Sequence, residues 1–190
     1  MNSNFQRRIS CWLQTGVFLL LSMTAVAEDA VPGPKKSKHQ IVGLFMPERE
    51  QDLRELLQEK LPQFKLVQVD IVNAEVILEY DAASVWPGEK PEKYVERLDA
   101  LLRQHSRNTF GAKPLRTVPL EKLTRVVIPV VGLDCKGCSY AAYLMIYQLP
   151  GVECATASFK SGKVTALIDP HLTDKTKLEE ALKAGEVELN

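Results

Sequence analysis

The sequence predicts an α+β protein built from two similar units in tandem. A strand-like run, Ile41-Val42-Gly43-Leu44, recurs as Val130-Val131-Gly132-Leu133, and the glycines of the two runs are 89 residues apart. A helix-like stretch follows each run and ends at a Leu-Pro pair, Leu61-Pro62 in the first unit and Leu149-Pro150 in the second. Shared landmarks at a fixed period are typical of duplicated units, so we predict two copies of one small domain.

Hydrophobic spacing predicts the elements of the first unit. Three leucines between residues 53 and 57 repeat at the intervals of one helix face. Residues 67–71 and 75–80 alternate apolar and polar side chains, as half-buried strands do. A second helix is predicted over residues 91–105. The expected order is therefore strand, helix, two strands and helix.

The second unit begins with the apolar run 126–131, which we expect to be a strand. A short loop and a helix over residues 139–149 follow it. Apolar side chains lie on one face of that helix at a period of 3.6 residues: Ala142, Met145, Ile146 and Leu149.

The loop between this strand and helix carries two thiols three positions apart, Cys135 and Cys138. A strand, a short loop and a helix can present both sulfurs to one soft metal ion. Cys138 is expected in the first helical turn, where the helix dipole favours the metal-binding thiolate. The C-x-x-C spacing alone also occurs in zinc knuckles and thioredoxin-like redox sites.

The stretch 125–190 resembles the heavy-metal-associated domain of copper chaperones, metal-pumping ATPases and the periplasmic mercuric-ion binding protein. The resemblance rests on the two thiols, the helix pattern after them, and further landmarks in the family's order: Leu149-Pro150-Gly151-Val152, Gly162-Lys163-Val164-Thr165-Ala166, Asp169-Pro170, Leu178, Leu182 and Gly185. It implies a ferredoxin-like βαββαβ fold with Cys135 and Cys138 as metal ligands. With the repeat, the predicted fold is two such domains in tandem, the first a degenerate copy.

Three positions depart from the family pattern. Leu133 replaces the usual Met before the first cysteine and keeps an apolar anchor under the loop. Asp134 resembles the zinc-, cadmium- and lead-exporting members and is expected to act as a secondary ligand. Glu186 stands where copper(I) chaperones often have Lys, which argues against an unmodified copper(I) site. The expected cargo is one soft ion: copper(I), or mercury(II), zinc or cadmium.

The first copy lacks the thiol pair. Met46 and Arg49 occupy the positions of Cys135 and Cys138. A guanidinium is always protonated and has no acceptor, so this pair cannot replace two thiolates. We expect Met46 to pack within its own domain.

The first 27 residues are predicted to be a cleavable secretory signal. Arg7 and Arg8 precede an apolar segment, and Ala25-Val26-Ala27 fits the cleavage pattern. We therefore expect a secreted or periplasmic protein, cleaved near Ala27, with no membrane span in the mature chain. The remaining predicted segments are a flexible lead-in over 28–38, the first domain over 39–111, a linker over 112–124 and the second domain over 125–190.

Charge and cysteine count exclude several classes of protein. The chain has 24 basic and 24 acidic residues, and removal of Arg7 and Arg8 with the signal leaves 22 basic residues. No basic patch with interleaved aromatics occurs, so nucleic acid is not expected as a partner. Three cysteines remain after cleavage, and this odd number does not suit a disulfide framework. Cys154 is expected on the open sheet face, and the three histidines are expected in solvent: His39, His105 and His171.

No residue from Ser139 to Leu149 carries a charge, although one side of this helix should face outward. Its outward positions include Tyr140, Tyr143 and Tyr147. An apolar patch of this kind indicates an interface. Its occupant is expected to be the first domain or a partner protein.

The leading functional prediction is a non-enzymatic carrier, chaperone or sensor of one soft metal ion. Its expected partners are the metal ion and a metal transporter or another dithiol protein. Two alternatives remain open: a thiol–disulfide exchange protein, and an interaction scaffold with a vestigial metal site. The two thiols that distinguish these functions are Cys135 and Cys138.

Overall fold

Two four-stranded antiparallel sheets organise residues 33–190, the part of the chain that this computed structural model describes. The predicted signal peptide lies outside the described residues. The first domain contains β1 (Lys35–Val42), α1 (Glu48–Lys60), β2 (Lys65–Asp70), β3 (Glu75–Tyr80), α2 (Ala82–Val85), α3 (Tyr94–Ser106) and β4 (Gly111–Lys113). Within residues 33–190, no helix is long and apolar enough to cross a membrane.

The second domain repeats this plan. It contains β5 (Thr124–Val131), α4 (Lys136–Tyr147), β6 (Val152–Ser158), β7 (Lys163–Ile168), α5 (Lys175–Ala184) and β8 (Glu188–Leu189). The sheets have the matching orders β2-β3-β1-β4 and β6-β7-β5-β8, with every pairing antiparallel. This is the ferredoxin-like βαββαβ topology, and the predicted tandem α+β fold is confirmed.

The structure places the ends of the first domain differently from the sequence prediction. β1 begins at Lys35, which pairs with Tyr80, so the sheet includes residues that we assigned to the lead-in over 28–38. β4 pairs with β1 and takes up the start of the predicted linker over 112–124. Both segments are rich in polar residues and proline. Residues 35–38 and 112–113 nevertheless join the sheet, because pairing with a neighbouring strand does not require apolar side chains.

The core of the first domain lies between its two long helices and its sheet. Leu53 and Leu57 of α1 are buried together with Leu98 and Leu102 of α3. The segment between β3 and α3, which the second domain lacks, packs Trp86 against three other aromatic rings: Phe64, Tyr80 and Tyr94. This extra segment therefore adds an aromatic cluster at one edge of the core.

His39 is buried, contrary to the prediction that it faces solvent. It lies on β1, and its Nε2 is 3.2 Å from the hydroxyl of Tyr80. Its Nδ1 has no hydrogen-bond partner among the described residues. Burial lowers the pKa of His39 to about 4. His105 and His171 are exposed, as expected.

The core of the second domain joins α4 and α5 to the inner face of the sheet. Ala142 and Ile146 of α4 meet Leu178 and Leu182 of α5, and all four are buried. The pairing of β6 with β7 shifts between Val152 and Cys154. Adjacent residues of a strand point to opposite faces, and Cys154 and Ala155 are both buried, so both faces of β6 are covered there.

Cys154 lies on the outer face of that sheet, but the face is covered. Its side chain is buried in a small cluster with Leu167 and Ala74, the latter from the first domain. The Cys154 thiol donates to the carbonyl oxygen of Val72 at 3.4 Å. The open face predicted from the sequence is therefore closed by the β2–β3 turn of the first domain.

The first domain also packs directly against the uncharged helix α4. Phe45 and Met46, in the loop after β1, are buried in the same hydrophobic cluster as the core of the second domain. The Phe45 ring stacks on Tyr143 with 5.4 Å between ring centroids, and its centroid lies 5.3 Å from that of Tyr140. The prediction that α4 forms an interface is confirmed, and its occupant is the first domain.

Backbone hydrogen bonds fix this contact. The N–H of Ala157 donates to the carbonyl oxygen of Phe45 at 2.7 Å, and the N–H of Gly43 donates to the hydroxyl of Tyr143 at 3.1 Å. Gly43 has a φ of +94°, and a Cβ there would lie 2.1 Å from the carbonyl oxygen of Thr109. Only glycine fits this turn, so the landmark shared by the two repeats directs the loop toward α4.

We predict that Phe45→Ala destabilises the protein by about 3–5 kcal/mol, because it removes a buried aromatic ring and leaves a cavity. Trp86 fluorescence reports on the first domain, and far-ultraviolet circular dichroism reports on both. Their urea transitions should coincide in the wild-type protein and separate in the variant, because the lost ring couples the domains. Coincident transitions in the variant would show that Phe45 does not carry the coupling.

His39 should make stability depend on pH. Its pKa is about 4 in the folded state against an ordinary 6.5, so the unfolded chain binds the proton more tightly. The free energy of unfolding should fall by about 2–3 kcal/mol as the pH drops from 6.5 to 4, with no further contribution below that range. Chemical denaturation across this range should show a smaller fall in His39→Gln. An equal fall in the variant would exclude His39 as the cause.

Candidate metal centre

The two thiols lie on a short loop between β5 and α4, as the sequence predicts. Gly132 turns the chain out of β5 with a φ of +77°, and the next side chain, Leu133, is buried beneath the loop. Leu133 thus serves as the apolar anchor expected from the sequence. The loop is held from below and presents the following residues outward.

Cys135 is the N-cap of α4. Its backbone is extended, and its Sγ accepts a hydrogen bond from the N–H of Cys138 at 3.1 Å. Cys135 is exposed, whereas Cys138 is half-buried and packs against the core of the second domain. A free N–H at the start of α4 therefore donates to the sulfur of Cys135, and Cys138 lies in the first turn of the helix.

The two thiols differ in acidity. A hydrogen bond from the Cys138 side chain, together with the Cys138 N–H, lowers the pKa of Cys135. The same side-chain hydrogen bond raises the pKa of Cys138, and burial and the nearby Cys135 charge add to the rise. The sequence prediction favoured Cys138 as the thiolate. In the structure the pKa of Cys135 is the one that is lowered, because the capping position receives the helix N–H groups.

The donor set suits one soft ion held by few ligands. Two thiols in one loop match the preference of copper(I) or mercury(II), whereas a closed zinc site usually has four ligands. Within residues 33–190, no group of three or more His, Cys, Asp or Glu side chains is placed to hold a metal ion. Asp134 is therefore not assembled with the two thiols here, and its secondary role remains a prediction.

A groove opens beside Cys138 on the side of α5. Its volume is about 340 Å³, and its lining includes Met145 of α4 and Glu186 after α5. A Cβ at Gly185 would lie 2.2 Å from the sulfur of Met145, so a larger residue there would displace the flexible Met145 side chain. The family resemblance places Glu186 beside the loop 132–138 that carries the two thiols, which we call the metal loop. Glu186 and Cys138 both line this groove.

An ion pair that no sequence pattern indicates links the metal loop to the first domain. Lys136, which lies between the two cysteines, pairs its Nζ with the carboxylate of Asp52 on α1. The partners are 84 residues apart in the chain. Helix periodicity identifies Asp52 only as a polar position, so this contact depends on how the domains pack.

The corresponding loop of the first domain has no thiols and a different role. Met46 is buried in the core cluster of the second domain, so the prediction that it packs within its own domain is wrong. Arg49 is buried and donates through Nε to the carbonyl oxygen of Gly43 at 3.1 Å. A fixed side-chain cation therefore closes this loop where the second copy has a sulfur.

No family model and no curated protein matches this chain. Among solved structures, it is similar to one described as the CopZ metallochaperone, at 18% identity and a TM-score of 0.35 over 35% of this chain and 100% of that one. Oxidized MerP from Ralstonia metallidurans CH34 is 20% identical, with a TM-score of 0.34 over 36% of this chain and 94% of that one.

A third similar structure spans both domains. The N-terminal soluble domains of Bacillus subtilis CopA are 16% identical to this chain, with a TM-score of 0.34 over 84% of this chain and 95% of that one. The function proposed for the chain rests on its own site residues.

We predict that Cys135 reacts with iodoacetamide before Cys138, because its lowered pKa leaves more thiolate at a given pH. Peptide mapping by mass spectrometry after timed alkylation would give the order, with the pH midpoint for Cys135 below that of an ordinary thiol. Cys154 should react only on unfolding, since it is buried. Equal rates at Cys135 and Cys138 would contradict this assignment.

Proposed function

We propose that the protein is an exported, non-enzymatic carrier of one soft metal ion bound between Cys135 and Cys138. One observation carries this proposal. Two free thiols lie in the same turn at the start of α4, and the helix already donates to the outer sulfur. Thiolates are the form that binds soft ions, and this site favours one before metal arrives.

The ion is expected to be copper(I), mercury(II), zinc or cadmium. Two thiolates alone satisfy copper(I) or mercury(II). The carboxylates of Asp134 and Glu186 add negative charge near the two sulfurs. That charge favours a divalent ion over a monovalent one.

Carriage requires release as well as binding, and the unequal exposure of the thiols supports both. Cys138 packs on the core and fixes one sulfur, whereas Cys135 is open to an incoming ligand. A partner dithiol, on another carrier or a metal transporter, can attack the ion from the side of Cys135. The ion would then pass between proteins without being free in solution.

Thiol–disulfide exchange is the second candidate, and the difference in pKa favours it. An exposed thiol of lowered pKa followed by a half-buried one of raised pKa is the arrangement of an attacking and a resolving cysteine. The same pair would then cycle between dithiol and disulfide. The two functions differ in what the reduced protein does when metal is absent.

We predict that the reduced mature chain binds one soft ion, because only the second domain has paired thiols. Native mass spectrometry with copper(I) or mercury(II) should show a single bound ion. Cys135→Ser and Cys138→Ser should each lose it, since one thiolate cannot hold the ion alone. Cys154→Ala is the matched control and should keep it, because Cys154 lies in a separate buried cluster.

Two results would reject carriage. Retention of the ion by both Ser variants would remove Cys135 and Cys138 as ligands. Catalytic turnover of a disulfide substrate by the reduced protein, with no ion bound at any concentration tested, would favour exchange instead.

Asp134→Ala should weaken cadmium or zinc binding more than copper(I) binding. A carboxylate beside Cys135 adds negative charge, and that charge favours a divalent ion over a monovalent one. Competition with a chelator of known affinity would give the two changes separately. If both affinities fall equally, or neither changes, Asp134 is only a loop residue.

A further inference from the structure

The ion pair at the metal loop is the end of a chain of three side chains. Asp52 accepts from Lys136, and the same carboxylate oxygen accepts from Nη1 of Arg49 at 2.6 Å. Asp52 therefore lies between the guanidinium of the first domain and the ammonium of the metal loop. Partial burial would by itself raise the pKa of Asp52, but the hydrogen bonds from Lys136 and Arg49 outweigh it and keep that pKa below its usual value.

Arg49 is a fixed support for this carboxylate. Only 9% of its side chain is exposed, and its Nη2 donates to the carbonyl oxygen of Thr109 at 3.4 Å. Its guanidinium carbon lies 3.9 Å from the centroid of the Phe110 ring. Arg49 Nε also donates to the carbonyl oxygen of Gly43. The guanidinium is therefore held by two separate loops, one after β1 and one before β4. Asp52 is thus oriented by its own domain, independently of Lys136.

The charge of Lys136 matters because of its place in the loop. It follows Cys135 directly, so its ammonium is the positive charge nearest in sequence to the sulfurs. A monovalent ion held by two thiolates leaves a net charge of −1, whereas a divalent ion leaves none. A free ammonium would therefore stabilise the monovalent complex more than the divalent one.

We propose that Asp52, supplied by the first domain, is a specificity-determining residue that engages the Lys136 ammonium and thereby shifts the metal loop from monovalent toward divalent soft ions. The proposal rests on the proposed function, since it concerns the ion at Cys135 and Cys138. It gives the degenerate domain a role at the site of its partner domain. Asp52 acts through Lys136 and is a positioning residue, with no contact to the ion.

The test compares copper(I) and cadmium(II) affinities of the reduced mature chain by chelator competition. Asp52→Asn keeps the shape of the side chain and removes its charge. It should raise the ratio of copper(I) to cadmium(II) affinity by about three- to tenfold at low salt, and less at high salt. Glu59→Gln makes the same charge change on an exposed position of α1 and should leave the ratio unchanged.

Lys136→Gln tests the same pair from its exposed side. The Lys136 side chain is 49% exposed, so this variant should fold even where Asp52→Asn does not. It should leave the ratio close to the wild-type value, because in the wild-type chain Asp52 already engages this ammonium. In the Lys136→Gln background, Asp52→Asn should lose most of its effect, because no ammonium is left to release.

The outcomes separate this inference from the proposed function. If the wild-type chain binds neither ion, the proposed function fails. If it binds ions but Asp52→Asn leaves the ratio unchanged, or lowers both affinities equally, Asp52 does not set specificity. A full Asp52→Asn effect in the Lys136→Gln background would also overturn the proposed route through Lys136.

Discussion

Phe45 belongs to the first domain, but its side chain is buried in the hydrophobic core of the second domain. Its ring packs on Tyr140 and Tyr143 of α4, and its carbonyl oxygen accepts a hydrogen bond from β6. Burial of aromatic rings stabilises through apolar area and ring contacts together. The contact fixes where α4 lies against the first domain, and α4 carries the metal loop at its start. The surroundings of the two thiols therefore depend on this one packing interaction.

The loop after the first strand of each copy has a different role in the two domains. The first copy keeps the glycine turn at Gly43 but has Phe45, Met46 and Arg49 where the second copy has its thiol loop. The buried Arg49 guanidinium closes the loop through hydrogen bonds, so no metal is needed to hold its shape. The apolar side chains beside it then fill the face of α4. In the first copy, the loop that corresponds to the thiol loop is therefore the loop that forms the interface.

The metal loop has different surroundings on its two sides. On one side lies the first domain, with the Lys136–Asp52 pair and the covered tyrosines of α4. On the other lies the groove beside Cys138, which contains Glu186. Cys135 remains exposed between them. An incoming ligand therefore has open access to the sulfur whose pKa is lowered.

The sequence alone determined most of the helices and strands, the repeat and the thiol pair, because these depend on local spacing. The period of apolar residues predicted α1 and α4, and the C-x-x-C spacing identified Cys135 and Cys138 as the candidate site. It did not determine contacts between distant residues. The burial of His39 and Met46, the covered face at Cys154 and the Lys136–Asp52 pair all follow from how strands and domains pack. Even the order of thiol acidity required the structure, because it depends on which sulfur receives the N–H groups at the start of α4.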